Sequence, residues 1–554
     1  MPDIASKATH EFFKDYLITE YLSKYKGLKT SFNTRDRALG KWKQAEVQCA
    51  ETNLRFRQWQ HRPFSGRVEC ALFGAQRKIA AVLGELRIPV VLDGCKWGPG
   101  ATFDLIRSEA SPDKKMLGPI SVTDSALPWF KTVVEADPHW GACFFGVIPE
   151  GAYSLLPSAF KTVRGSRFLT VPKTAKIDRC IAAEPTGNSF LQQGVHSYLR
   201  RRLRRFGVNL DDQSINQRRA HDAFFCGLST LDLSMASDTI SRELIYHLLP
   251  LDWALFLDSL CSRETLVDGE WVRTHKFASM GNAFCFELES LVFWALAGSV
   301  NEDLGNVDSV TVYGDDIIVP RDSFDRVVEI LTECGFTINT KKSFKDGNFF
   351  ESCGKHYHMG TEVTPVYQKE VVIHPSELIR AHNRLCRLAI RSFNGELVVV
   401  RKAMRAITEM WPHRPFPRIP YGLQEDGGFL RPLREFIPHQ NHGFRCHVYD
   451  FEPRYTGARE DAMYAYQLRR TTHLNDGRKE AVRESTYYSV FERRHRSFFN
   501  PEKILCAEKC PDGRRRHQTG YVGVAVMGKW RTKVRDIYES AISESEWLEP
   551  PVDE

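Results

Sequence analysis

The chain has 554 residues, too many for one compact core, so about three or four lobes are expected. Hydrophobic residues at 42 % and charged residues at 26 % are ordinary globular values, which excludes a largely disordered chain; only the end ESEWLEPPVDE has the composition of a disordered tail. A formal charge of +7, from 76 Lys and Arg against 69 Asp and Glu, excludes a histone-like polycation and makes any polyanion site a local one.

The first residues, MPDIASKATHEFF, lack the basic-then-apolar order of a signal peptide. The fourteen cysteines show no CxxC pair and no even framework, which suits a reducing compartment. The longest apolar run, LVFWALAGSV, is half the length needed to cross a bilayer, so a soluble intracellular protein with no membrane partner is expected. Up to about residue 205, helical stretches such as KATHEFFKDYLITEYLSKY alternate with Gly/Pro loops such as GCKWGPGATFD. RFLTVPKTAKIDRCIAAEP places Arg167, Lys173, Lys176 and Arg179 on extended backbone, a charge run whose ordinary reading is a solvated face. YLRRRLRRFG then puts Arg200, Arg201, Arg202, Arg204 and Arg205 around most of a helix, suited to RNA phosphates or to a protein partner.

From about 225 to 370 short strands alternate with helices. STLDLSMASD predicts a strand ending in a loop, with Asp238 as cap of a helix carrying Ile240, Leu244 and Leu248. The loop SMGN opens the helix FCFELESLVFWALA, and SVTVYGDDIIVP follows as a hairpin. DSFDRVVEILTECGF has helical spacing at Phe324, Val327, Val328 and Leu331, ended by Gly335, and TINTKKSF returns as a strand. This order predicts an α+β fold, an antiparallel sheet with helices on one face. From 371 onward PSELIRAHNRLCRLAIRSF predicts a helix, followed by sequence rich in arginine and aromatics. The expected units are 1–205, 206–370 with an insertion near 240–275, and 371–554. The lobes are expected to interleave.

The chemistry concentrates at the hairpin. Gly314 and Asp315 form a two-residue connection, because glycine tolerates the positive φ of tight turns, and the turn projects Asp315 and Asp316 beyond the sheet. A solvated turn is the ordinary reading, but apolar residues fill both strands and place the pair at the end of a core sheet. Two adjacent carboxylates repel unless a cation lies between them, and hard oxygen ligands suit magnesium. Asp232, polar between Leu231 and Leu233, is the candidate third carboxylate of a two-metal site. Period-2 alternation that turns it to solvent is the alternative.

In their order, DLSMASD, SMGNAFCFELES, VYGDD, GFTINTKKSF and ESCGKHYHMG are similar to the palm motifs of viral RNA-dependent RNA polymerases. More narrowly, the chain resembles the replicase catalytic subunits of the single-stranded RNA bacteriophages, strongly over about 165–370 and weakly in the flanks. The resemblance implies a right hand of fingers, palm and thumb that copies RNA from NTPs. Asp232, Asp315 and Asp316 match the positions holding two Mg²⁺ ions, with Mn²⁺ as a substitute, and Asp238 the position that senses the incoming ribose. Ser279, Gly281 and Asn282 match the loop nearing template and new base pair. The Thr and Asn common four and eight residues after that glycine are here Cys285 and Glu289, which leaves Asn282 as substitute ribose contact or as a helix cap.

Lys173, Lys176 and Arg179 match the fingers motif over the triphosphate, where arginine binds phosphate bidentately. Lys341 and Lys342 fall near the position that protonates pyrophosphate, although edge-strand lysines also serve solubility. The resemblance further implies host elongation factors Tu and Ts and a single-strand-binding ribosomal protein as partners, in the bacterial cytoplasm. A reverse transcriptase and a non-catalytic RNA-binding protein are the alternatives; Asp238 speaks against the first and three intact carboxylates against the second. STYYSVFERRHRSFF interleaves Tyr487, Tyr488, Phe491 and Phe498 with Arg493, Arg494 and Arg496, either a platform for single-stranded RNA or a core helix edged with arginine. His439, His442, Cys446 and His447, with Cys506 and Cys510, fit no closed zinc pattern. His356 and His358 share one face of a strand, as structural residues or near the primer.

Overall fold

The computed structural model describes residues 8–25, 27–28, 30–31, 33–107, 110, 115, 119–136, 160–306, 310–391, 397–423, 426–439, 443–455, 515–519 and 522–538. Tyr487 to Phe498, His442, Cys506 and Cys510 lie outside these residues. The centre is a three-stranded antiparallel sheet in which Asp316–Pro320 lies between Leu228–Leu231 and Thr311–Tyr313. Ile317, Ile318 and Val319 are fully buried because helices cover both faces. Ile317 and Val319 join the core of the helix Cys285–Asp303, and Ile318 packs with Ala220 and Ala223. The latter two belong to Ser214–Cys226, a helix for which the sequence reading had no element, so the expectation of helices on one face becomes helices on both. The α+β class stands.

The helix Cys285–Asp303 follows the SMGN loop as expected and is buried along most of its length. It packs closely on the helix Gly66–Leu83, where a side chain at Gly74 would overlap Ser299. The helix Phe324–Glu333 ends at Gly335, whose φ of 86° is left-handed. TINTKKSF forms only a two-residue strand, Thr337–Ile338, paired antiparallel with Leu233–Ser234 on the far side of Asp232. It then turns back, with Lys342 N donating to Asn339 O at 2.9 Å.

A second, four-stranded sheet has the order Asp178–Ala183, Ser166–Pro172, Glu264–Val267, Glu270–Arg273. Its last two strands come from the stretch near 240–275, which thereby joins strands of the first 205 residues in one sheet. Interleaving goes further at the N-terminus. The helix Thr9–Tyr21 buries Phe12 and Tyr16 against Phe349 and Val363, and packs on Leu385 and Leu388 of the helix Pro375–Arg391. It also covers the strand Lys355–His358, where His356 Nδ1 lies 2.7 Å from Tyr16 Oη and His358 Nδ1 3.0 Å from Thr9 Oγ1. Beyond 375, the helices Pro375–Arg391 and Leu397–Glu409 adjoin a sheet of Pro438–His439, Gly443–Tyr455, Val522–Tyr538 and Arg515–Thr519. Among the described residues no helix is long and apolar enough to cross a membrane.

Candidate active site

The hairpin pairs Asp316 with Tyr313, leaving Gly314 and Asp315 as a two-residue connection in which Gly314 has φ 63°. A side chain at Gly314 would press on the Phe286 ring at 2.5 Å, so glycine is required by both conformation and space. The register Ile317↔Leu231 continues one step to set Asp316 beside Asp232. Asp232 is not turned to solvent. Asn339 Nδ2 donates to its Oδ1 at 2.7 Å, Lys342 Nζ stands 3.8 Å from its Oδ2, and its backbone N–H donates to Ser343 Oγ at 3.0 Å. Ser352 Oγ donates to Asp316 Oδ1 at 3.3 Å and Asn216 Nδ2 to its backbone carbonyl at 3.0 Å.

Burial raises the Asp232 carboxyl to about 6, with Lys342 and Asn339 opposing, and raises Asp316 to about 7, helped by the charge of Asp315. A cation between two such groups would favour the form in which both are ionised. Among the described residues no three or more His, Cys, Asp or Glu close into a metal cage, so an ion here would complete its shell from outside the protein. Magnesium has that habit, taking one or two carboxylates and filling the rest with water and phosphate oxygens, so this donor set fits it.

Asp232 and Asp315 border a cavity of about 300 Å³. Lys173 and Arg179 form part of its wall, on and beside the strand pair Ser166–Pro172 and Asp178–Ala183. Partial enclosure and the neighbouring Arg179 lower the Lys173 ammonium, while Asp315 and Asp232 oppose that shift. Asp238 lies on the same cavity, in a short 3-10 turn Ala236–Asp238, and Lys276 Nζ donates to its Oδ1 at 2.8 Å. The helix expected to be capped by Asp238 begins instead at Arg242, after Ser241.

The sequence model of the family described as RNA replicase, beta-chain, matches residues 3–397, a span containing all of this cavity. The chain belongs to that family. It is 39% identical over 385 residues to the RNA-directed RNA polymerase subunit beta of Qbeta virus (strain MX1), covering 68% of this chain and 63% of that one. It is 40% identical over 386 residues to the corresponding subunit of Escherichia virus Qbeta, again 68% of this chain and 63% of the other. With the RNA-directed RNA polymerase subunit beta of Enterobacteria phage SP it shares 35% identity over 473 residues, 83% and 78% of the two chains. The match thus spans less than two thirds of the Qbeta relatives' length. A solved RNA-dependent RNA polymerase of a human picorbirnavirus aligns at TM-score 0.31 and 14% identity over 44% of this chain and 55% of that one. A likeness at that score does not establish a shared fold.

Several residues expected at the site of this replicase beta-chain stand elsewhere. Lys341 is exposed on the turn after Asn339, whereas Lys342 borders the cavity and pairs with Glu351 at 2.9 Å. A turn does not keep strand alternation, so neighbouring side chains diverge. Lys176 lies at the tip of the connection between the two strands and does not border the cavity. Asn282 is buried: its Oδ1 accepts from Phe284 N at 3.0 Å and its Nδ2 donates to Cys261 Sγ at 3.4 Å, while the N-cap of the following helix is Phe284. Ser279 likewise closes that loop, its carbonyl accepting from Asn282 N at 3.0 Å. Gly281 has φ 116°, and a side chain there would overlap the Ala182 carbonyl, so the close approach is to the neighbouring strand. Arg200 is committed internally, with Nε 2.8 Å from Glu287 Oε1 and a second bond to Asp211 at 2.5 Å. Arg201, Arg204 and Arg205 share one exposed face of the helix Thr186–Arg205 at helical spacing.

Four participants were not foreseen: Lys41, Trp42, Glu46 and Lys276. The helix Thr34–Arg57 brings Lys41 and Trp42 to the cavity wall, and Glu46 stands behind it. Their sequence pattern is that of any amphipathic helix, and Lys276 is a single cation in THKFAS. No local signal marks them, because the partners lie far apart in the chain: Lys276 is 38 residues from Asp238, and the helix carrying Lys41, Trp42 and Glu46 is about 190 residues away, as Cys49 Sγ reaching Asp238 O illustrates.

Proposed function

We propose that the chain is an RNA-directed RNA polymerase that copies a single-stranded viral RNA genome from NTPs. The supporting observation is the register that puts Asp316 beside Asp232, with Asp232 and Asp315 on a cavity walled by Lys173 and Arg179. The strand pair 166–183, with the hairpin near 264–273, would be the fingers, the central sheet the palm, and the region from 371 the thumb. Asp232, Asp315 and Asp316 would hold two magnesium ions, for which manganese would substitute; when bound, these supply charge stabilisation at the attacking and leaving oxygens of an in-line displacement. Lys173 and Arg179 neutralise and orient the triphosphate from the opposite wall. Asp238, with Oδ1 engaged by Lys276, offers Oδ2 to the ribose hydroxyl that distinguishes NTP from dNTP. Lys342 counters Asp232 while the site is empty of substrate. Glu351 and Asp232 hold its ammonium above the ordinary lysine value against the effect of burial, which suits a fixed charge better than a ready proton donor. Template and product would cross the face of Arg201, Arg204 and Arg205. By family resemblance, elongation factors Tu and Ts and a ribosomal protein would be partners in the host cytoplasm.

The test incubates the full chain, with and without those factors, with RNA template, labelled NTPs and magnesium. RNA synthesis should be abolished by EDTA and lowered roughly 10³-fold or more by Asp315→Asn, since a metal contributes several kcal/mol of transition-state stabilisation. Unchanged synthesis by the variant would remove the metal assignment, and preferential dNTP use would favour a reverse transcriptase.

A further inference from the structure

Lys276 is 1% exposed, an expensive place for an ammonium unless paired charges surround it. Its Nζ lies 2.8 Å from Asp238 Oδ1 and 3.1 Å from Glu46 Oε1, with the Trp42 ring centroid at 4.9 Å. The other oxygen of Glu46 accepts from His275 N at 2.6 Å, so the carboxylate that backs Lys276 is fixed to the lysine's own chain. Asn53 repeats that clamp from the same helix, Nδ2 donating to His275 O at 2.8 Å and Oδ1 accepting from Glu243 N at 2.8 Å. Phe277 N donates to Ile240 O at 2.8 Å, which places the Lys276 segment beside the residues that follow Asp238. Everything around Lys276 is therefore built to hold one cation against one oxygen of Asp238.

We propose that Lys276 is a positioning residue for ribose recognition: seated on Glu46 and Trp42, it holds Asp238 oriented with Oδ2 toward the cavity. This rests on the polymerase reading. Without the ammonium, the buried Glu46 and the largely buried Asp238 would be two carboxylates with no cation between them, and Asp238 would turn away. Asp238 would then lose its geometry as an acceptor. The specificity of the site is thereby set by a side chain that does not touch the substrate and by a helix some 190 residues earlier.

The experiment measures single-nucleotide extension by the full chain on an RNA template, with GTP and with 2′-dGTP, for wild type, Lys276→Met and Lys276→Arg. Loss of a charge-fixed acceptor should lower the kcat/KM ratio of GTP to 2′-dGTP roughly tenfold or more in Lys276→Met. The loss should fall mainly on the KM for GTP, and Lys276→Arg should restore most of the ratio. Equal losses for both nucleotides, leaving the ratio unchanged, would mean a structural role only and would overturn the proposal. If Lys276→Met does not fold, Lys276→Gln, which keeps a donor without the charge, takes its place with the same two outcomes. A wild type that makes RNA without discriminating overturns the inference and spares the polymerase reading; a wild type that extends with neither nucleotide overturns both.

Discussion

Adjacent residues can have unlike fates, as Lys341 and Lys342 show. Both are exposed on one turn, but only Lys342 reaches Glu351 and Asp232. A sequence motif identifies a segment, whereas a backbone turn selects which of its side chains meets the site. Buried titratable groups follow the same logic. Glu184, 4% exposed, accepts from Ser262 Oγ at 2.7 Å, and burial raises its carboxyl from 4.5 to about 7. The folded chain holds this proton more tightly than the unfolded one. Its contribution is therefore full below pH 4.5 and lost as pH rises through about 7, a span equivalent to about 3 kcal/mol. Glu184→Gln keeps an oxygen for Ser262 and never ionises. Its stability relative to wild type should rise between pH 4.5 and 8 by up to about that amount, read from urea midpoints at several pH values. Parallel midpoint curves for the two proteins would refute this account of Glu184.

Glycines make the corresponding point for elements. Gly281 lies where the SMGN loop meets the strand Asp178–Ala183, with Ala182 N donating to Met280 O at 2.8 Å. Any side chain would collide with the Ala182 carbonyl at a φ of 116° that other residues rarely adopt. Gly281→Ala should cost about 2–4 kcal/mol. Gly40, inside the helix Thr34–Arg57 with nothing within 4 Å of an added methyl, should gain about 0.5–1 kcal/mol as alanine. Chemical denaturation of the two variants checks both signs, and a destabilised Gly40→Ala or a neutral Gly281→Ala contradicts the packing described. Packing between elements is thus one requirement for glycine in this loop.

Across the whole molecule, sequence order and spatial order part company. The helix Thr9–Tyr21 belongs spatially with residues 349–363 and with the helix Pro375–Arg391. Phe12 stacks on His358 with ring centroids 4.6 Å apart, and Tyr16 meets His356, whose imidazole burial holds down to about 3. Deleting residues 1–25 should therefore act far from the terminus. It would bare Phe349 and Val363 and lower the melting temperature on the order of 5 °C or more, since two large aromatics leave a packed cluster. A thermal scan of the truncated chain identical to that of the full chain would show that the helix is dispensable to the core.

The sequence alone determined the features whose cause is local. The two-residue turn at Gly314 and Asp315, the apolar strands that flank it, the helix after SMGN and the stop at Gly335 each follow from backbone preference and side-chain period within about ten residues. Family membership was legible in the ordered motifs for the same reason, since each motif is a contiguous string. Tertiary structure decided what depends on two distant segments meeting. It set Asp316 beside Asp232, turned Asn282 and Arg200 inward, covered the second face of the sheet with Ser214–Cys226, and brought Glu46 and Trp42 under Lys276. Charges and polar groups reveal their role only through their partners. A lone lysine in THKFAS has no partner until the helix Thr34–Arg57 packs beside it.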